Sequence, residues 1–255
     1  MQVLIAVVVL IALAIVYIAA FASTRRLIRT RRREGHNDVL IPLFLTAGTL
    51  YAVLLAFIVI AVWQSYEVAK DNVAEEASTL ATMYRQTAGM PTSERTAMRT
   101  IIRNYTEAVV KDEWPVQAAN GGASPKARAW VVTLYRKFGQ LKPSVATSPI
   151  SLEFLHAFST VIADRNRRTL QANEELPAIL WAGLIIGAVI VVVMSFFPYM
   201  ESAGAHALMS GLMTLLILTL LGIILLFNQP FKEPMAISAE PFEHSLAVYD
   251  SVDRM

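Results

Sequence analysis

Apolar and polar positions are segregated along this chain into blocks rather than alternating residue by residue. Four runs, Val3–Ala22, Val39–Trp63, Ala178–Phe197 and Ala207–Phe227, contain no Asp, Glu, Lys or Arg. A hydrocarbon core of ~30 Å needs about 20 apolar residues of helix, so each run predicts a membrane span. Pro42 falls in the first turn of the second span, where a missing N–H costs little, and Pro177 and Pro198 bracket the third. Trp63, Trp181 and Tyr199 lie near span ends, where amphipathic rings favour the interface. The rival reading of the first run is a cleaved secretory signal ending at Ala20-Phe21-Ala22. It fits poorly, because no basic residue precedes the run and the run exceeds the ~7–15 residues of a signal's apolar region.

Residues 64–176 carry 14 basic and 12 acidic side chains, a balance that predicts a water-facing domain inserted between the second and third spans. Tyr66, Ala69, Val73, Ala77, Leu80 and Tyr84 recur at three-and-four spacing, which extends the second span into an amphipathic stalk. Pro91 breaks it, and Met98, Ile101, Ile102, Tyr105 and Val109 form the inner stripe of a second helix that EWP at 113–115 is expected to stop. Residues 115–125, with Gly121 and Gly122, read as a loop. A third helix is predicted over Pro125–Leu141 and a fourth over Ser151–Leu176. No period-two alternation predicts a strand. The expected fold is an all-α membrane protein: spans one and two in 1–63, a helical domain in 64–176, spans three and four in 177–228, and a tail in 229–255.

Composition supports this class, since 55% hydrophobic and 16% charged residues lie outside the range of ordinary soluble domains. The absence of cysteine removes disulfides and thiolate metal sites. His36, His156, His206 and His244 have no metal-ligand or catalytic spacing, and there is no phosphate-binding glycine loop or nucleophile elbow. An enzyme, a cofactor and a bound metal are therefore not expected.

The stretch RRLIRTRRR places Arg25, Arg26, Arg29, Arg31, Arg32 and Arg33 directly after the first run. A link this short, pinned between two spans, offers no folded basic face for nucleic acid, so none is expected as a partner. Contact with anionic lipid follows from charge alone, at about 1 kcal/mol per basic residue. The main reading is a topological anchor, because short Lys/Arg-dense loops stay in the cytoplasm. In a bacterial inner membrane this places the loop inside and the helical domain on the periplasmic side.

The spans carry no charge, which argues against a proton relay but not against a pore lined by hydroxyls and apolar constrictions. Thr46, Thr49 and Val53 share a helix face in the second span, with Phe57 further along, and Ser210, Thr214 and Ile217 share one in the fourth. Packing between helices is the alternative role for such small and hydroxyl residues. Glu67, Asp71, Glu174 and Glu175 flank the spans as candidate mouth residues. The polar stretch 163–175, ADRNRRTLQANEE, reads either as a solvated helix surface or as an ion vestibule.

The words YAVLLAFIVIAVWQ (51–64), AEEA (74–77), LATMYR (80–85), EWP (113–115), RNRR (165–168), ELPAILW (175–181), NQPF (228–231) and EPF (240–242) follow one another in an order that resembles the bestrophin-like family of bacteria and plants. The resemblance spans 43–242. It implies the four-span layout of bestrophins, which are oligomeric anion channels with a helical region between spans two and three. Two departures stand out: only Phe44 and Phe57 answer the Phe-rich neck of bestrophins, and Asn228 stands where the family has an acidic residue ahead of the PF pair, leaving it a neutral mouth candidate. The resemblance also implies a cytosolic domain, opposite to the side given by loop charge. The expected function is a homo-oligomeric passive ion channel, a tetramer or pentamer in the lipid bilayer, with inorganic ions as cargo and anions slightly ahead of cations. The alternative is a membrane-anchored sensor or scaffold whose helical domain binds a ligand or partner.

The side of the domain is testable because the protein has no cysteine. Asn120→Cys should react with a membrane-impermeant maleimide in cells with a permeabilised outer membrane and an intact inner one. Labelling only after lysis would place the domain in the cytosol and overrule the loop-charge rule.

Overall fold

The structure is a computed structural model that describes residues 17–28 and 35–254. In chain order its helices are α1 (17–28), α2 (His36–Gln86), α3 (Thr92–Ala108), α4 (Trp114–Asn120), α5 (Pro125–Gly139), α6 (Pro143–Ala146), α7 (Pro149–Gln171), α8 (Ala178–Met194), α9 (Ala203–Phe227) and α10 (Glu240–Asp253). No strand occurs among the described residues. The chain divides into two compact units, one from Met1–Ala61 and Leu176–Ile224, the other from Val62–Glu175 and Leu225–Met255.

In the first unit, α2 and α9 belong to helices long and apolar enough to cross a bilayer, while α8 is a shorter apolar helix of 17 residues. Positions 3–16 of the first predicted span lie outside the described residues, and 17–28 are helical. Helix α2 continues past Trp63 to Gln86 because no Gly or Pro interrupts 49–86 and the amphipathic stripe begins as the apolar run ends. Tyr51 fastens α2 to α8: its hydroxyl donates to Leu184 O at 2.9 Å, and its ring lies so close to Gly187 that a Cβ there would meet it at 2.6 Å. Tyr17 on α1 meets Ser210 Oγ at 2.8 Å, and Phe21 presents its edge to Phe196 and His206. The α8–α9 connection is clasped by Arg25, which donates to Met200 O and Glu201 O, and by Asn37, which exchanges two hydrogen bonds with Tyr199 at 2.9 Å.

The second unit has a core drawn from five helices: Val73, Leu80 and Tyr84 of α2, Met98 and Ile102 of α3, Leu134 of α5, Phe154 and Phe158 of α7, and Phe242 and Tyr249 of α10. The stalk and second-helix stripes predicted from spacing are buried as expected, apart from half-buried Tyr66. EWP does not stop the second helix. A π-turn over Val109–Glu113 passes directly into α4, with Pro115 in the first turn of that helix. The break comes at Gly121, whose φ of 72° favours glycine. The fourth predicted helix ends at Gln171 rather than Leu176, and Asn173 closes it by donating to Thr169 O and Gly121 O. Residues 229–255, read as a tail, contain α10. Tyr249 stacks on Tyr84 with centroids 4.1 Å apart, Ser245 donates to Ala77 O, and Arg99 and Arg103 pair with Asp250 and Asp253.

Gly187→Ala should lower the thermal midpoint of the detergent-solubilised protein, by about 1–3 kcal/mol, since Tyr51 must leave its hydrogen bond to clear the methyl group. Gly183→Ala, where nothing lies within 4 Å of the new atom, should be neutral or stabilising. Equal behaviour of the two variants would refute the Tyr51 contact as the fastening between α2 and α8.

Candidate functional site

In the membrane part of α2 the sequence-predicted lining residues are all outward. Thr46, Thr49, Val53 and Phe57 are exposed, and they follow one another at three-and-four spacing. Thr46 donates to Pro42 O at 2.9 Å and Thr49 to Leu45 O at 2.8 Å, so each hydroxyl proton is spent on its own helix. Thr49 also borders an apolar groove of about 610 Å³ between α2 and α9, with Gly48, Ala52 and Ala56 on one wall, Met213 and Leu216 on the other, and Val191 contributed by α8. The fourth-span hydroxyls are divided. Ser210 is buried against Tyr17, while Thr214, half-buried, and Thr219, exposed, donate to carbonyls of their own helix, Ser210 O and Leu215 O.

The predicted mouth residues lie in the second unit. Glu67 is half-buried beside Lys70 at 3.8 Å, and Asp71 and Glu174 are exposed. Glu175 accepts from Gln229 at 2.6 Å and pairs with Lys232 at 3.7 Å, and Asn228 is 9% exposed. Of the arginine anchor, Arg25 and Arg26 lie on α1, while Arg29, Arg31, Arg32 and Arg33 lie outside the described residues.

A second constellation was not foreseen. Arg165 and Arg168, read as parts of a solvated surface or a vestibule, point into the core of the second unit; Asn166 and Arg167 of the RNRR group are exposed. Arg168 is wholly buried. Its Nε donates to Glu76 at 2.7 Å, Nη1 to Gln117 Oε1 at 2.6 Å, and Nη2 to Glu113 at 2.8 Å and Glu76 at 3.2 Å. The guanidinium lies within 5.3 Å of the Trp114 ring centroid and 5.5 Å of Phe242. Arg165 pairs with the other oxygen of Glu113, which also accepts from Ser124 N–H at 3.0 Å, and Tyr105 donates to Glu76 at 2.7 Å. Two cations and two anions thus cancel, with every nitrogen of the Arg168 guanidinium matched and Arg165 Nε and Gln117 Nε2 left without a partner among the described residues.

The electrostatics follow from that balance. Burial pushes the Glu113 carboxyl up, but Arg168 and Arg165 outweigh it and hold the group below the usual carboxylate range. Burial opposes the charge of Arg168, and Glu76 more than compensates. Burial, then the Glu76 charge, drives the Tyr105 hydroxyl well above its ordinary value, so it remains a donor. A helical-spacing signal was present: Phe154, Phe158, Val161, Arg165 and Arg168 form one stripe of α7, and Glu76 sits between Val73 and Leu80 on α2. Charge alone argued for the surface.

A family model described as the bestrophin-like domain matches residues 10–242. The chain belongs to the bestrophin-like family. Crystal structures of a bacterial bestrophin homologue from Klebsiella pneumoniae are similar to it: two single-substitution variants give TM-scores of 0.75 and 0.74 at 10% and 11% identity, each covering 94% of this chain and 97% of the homologue. A third gives 0.69 at 12% identity over 84% of this chain and 88% of that one. Identities this low show the bestrophin fold and nothing finer. No curated protein matches the sequence. The sequence words that carried the family resemblance converge in this bestrophin-like chain on the buried charges: AEEA supplies Glu76, EWP supplies Glu113 and Trp114, RNRR supplies Arg165 and Arg168, and EPF supplies Phe242. Phe231 of NQPF packs edge-on against Trp114.

Glu113→Gln should destabilise the second unit by about 3–5 kcal/mol, since it leaves two guanidiniums short of a counter-charge. Arg128→Met, at an exposed position outside the cluster, should change stability by less than about 0.5 kcal/mol. Because the folded-state pKa of Glu113 lies below its unfolded value, its contribution is complete above about pH 5 and is lost as pH falls through the folded pKa. Thermal unfolding of both variants and the parent from pH 7 to pH 4 checks this: the Glu113→Gln penalty should shrink in acid, and a penalty independent of pH would rule out the charge explanation.

Proposed function

We propose that this chain is one subunit of a homo-oligomeric passive ion channel in a bacterial inner membrane, with the membrane part of α2 lining the path. The observation that carries the reading is the outward face of α2. Val53 and Phe57 are 49% and 67% exposed, and with Thr46 and Thr49 they form a stripe left exposed by the described residues. Membership of the bestrophin-like family supports the same reading. The layout proposed has four spans, with the helical unit inserted between the second and third and the arginine-dense loop toward the cytoplasm. One such subunit encloses no aqueous path, so rotational symmetry must bring several α2 faces around an axis, as a tetramer or pentamer. Apolar Val53 and Phe57 on that axis would form a constriction that wets only when widened.

Light scattering in detergent should give a protein mass four or five times the 28.1 kDa of the chain. Purified protein in planar bilayers should carry current, and Phe57→Ala should raise its unitary conductance by about twofold or more if that ring narrows the path. A monomeric mass would remove the pore. Oligomers silent at every voltage and pH would favour the membrane-anchored scaffold instead.

A further inference from the structure

We propose that Asp164 is a proton-sensitive latch between α7 and the stalk part of α2, weakening their contact while ionised and strengthening it on taking up a proton. The inference is independent of the channel reading above. Asp164 lies on the buried side of α7 and is 1% exposed. Its Oδ1 accepts from Arg167 Nη1 at 3.3 Å, and its Oδ2, also buried, has no hydrogen-bond partner among the described residues. Glu76 and Glu113 are as deeply buried, but they meet guanidinium nitrogens of Arg168 at 2.7 Å and 2.8 Å. A buried carboxylate matched in that way can stay ionised. One with a bare oxygen costs less as the neutral acid.

The charges around Asp164 act in the same direction. Those of α2 are Glu75, which is exposed, and Glu76; the one cation of its own helix that reaches it is Arg167, whose side chain is 62% exposed and so screened by water. Arg165 and Arg168 are committed to Glu113 and Glu76, and Tyr105 of α3 donates to Glu76. Burial, then the Glu75 charge, raises the Asp164 carboxyl above the usual range; Arg167 opposes the rise and Glu76 adds to it. The folded-state pKa therefore exceeds the unfolded one. The ionised group costs stability above its folded pKa, and the cost disappears as pH falls through that value. This sign is opposite to that of Glu113, and it acts where α2 and α7 meet through Glu76–Arg168 and Asn72–Gln171. Mild acid should stiffen the stalk before stronger acid loosens the ion cluster.

The experiment is amide hydrogen exchange, corrected for the chemical exchange rate, on the full-length protein in detergent from about pH 7.5 to about pH 5, read in peptides covering 72–80 and 160–168. Protection of both should rise in the parent as pH falls, by at least about threefold, the equivalent of about half a pKa unit. Asp164→Asn, neutral and of the same shape, should be protected already at neutral pH and lose the response. Two neighbours should move the midpoint of the response in opposite directions: Arg167→Met, which removes the cation, toward higher pH, and Glu75→Gln, which removes a like charge, toward lower pH. Both neighbours are exposed, so their opposed shifts decide the matter where Asp164→Asn disturbs folding. A parent without the response, an Asp164→Asn variant that keeps it, or neighbours that shift it the same way would overturn the proposal.

Discussion

Two guanidinium groups buried with two carboxylates constrain the second unit more than any apolar contact does. Each ion loses several kcal/mol of hydration on burial, which mutual attraction recovers only if the geometry is good and the remaining donors are matched. Glu76, Glu113, Arg165 and Arg168 reach that geometry only when α2, the π-turn, α4 and α7 are all in register. The π-turn has a physical role here, since an extra residue in the helix changes the direction of every side chain beyond it. Ser124 N–H and Tyr105 O–H complete the shell around the carboxylates. A partly formed version would leave a charge unpaired in the core, so the cluster favours one arrangement over near alternatives.

The C-terminal segment belongs to the same constraint. Phe242 closes one side of the Arg168 guanidinium while Trp114 closes another, and Trp114 is itself fixed by donating its indole N–H to Ile237 O. Beyond Phe242, α10 is held by the Tyr84–Tyr249 stack and by arginines of α3. The motifs that mark the family in sequence are thus largely the motifs that build this core. Those segments serve a requirement of the fold, the pairing of its buried charges.

The membrane unit follows a different logic. Its apolar helical runs satisfy their backbone internally, which leaves few polar groups to position anything. Most of those few are used between helices or at their ends: Tyr51 on Leu184 O, Tyr17 on Ser210, Asn37 on Tyr199. Thr46 and Thr49 of α2, like Thr219 of α9, are bonded only to their own helix and face outward. That contrast, more than the presence of a hydroxyl, separates an outward face from packing, and it removes Ser210, buried against Tyr17, from the candidate lining.

The sequence by itself determined the helical class, the apolar blocks and the amphipathic stripes of α2, α3 and α7. These depend on local periodicity and on Gly and Pro, which act within a few residues. It did not place Arg165, Arg168, Glu76 or Glu113 inside, although their spacing matched buried stripes, because an isolated charge is stable only in water and its partner lies 52 to 92 residues away along the chain. Nor did it show that EWP continues a helix or that the last residues carry α10, since both depend on an aromatic and ionic surface supplied by other segments. Outward residues such as Phe57 were identifiable by periodicity, but that the described residues leave them exposed is a property of the assembled unit. Local sequence determined which faces each helix has; only the meeting of distant charges and rings decided which of those faces is the core.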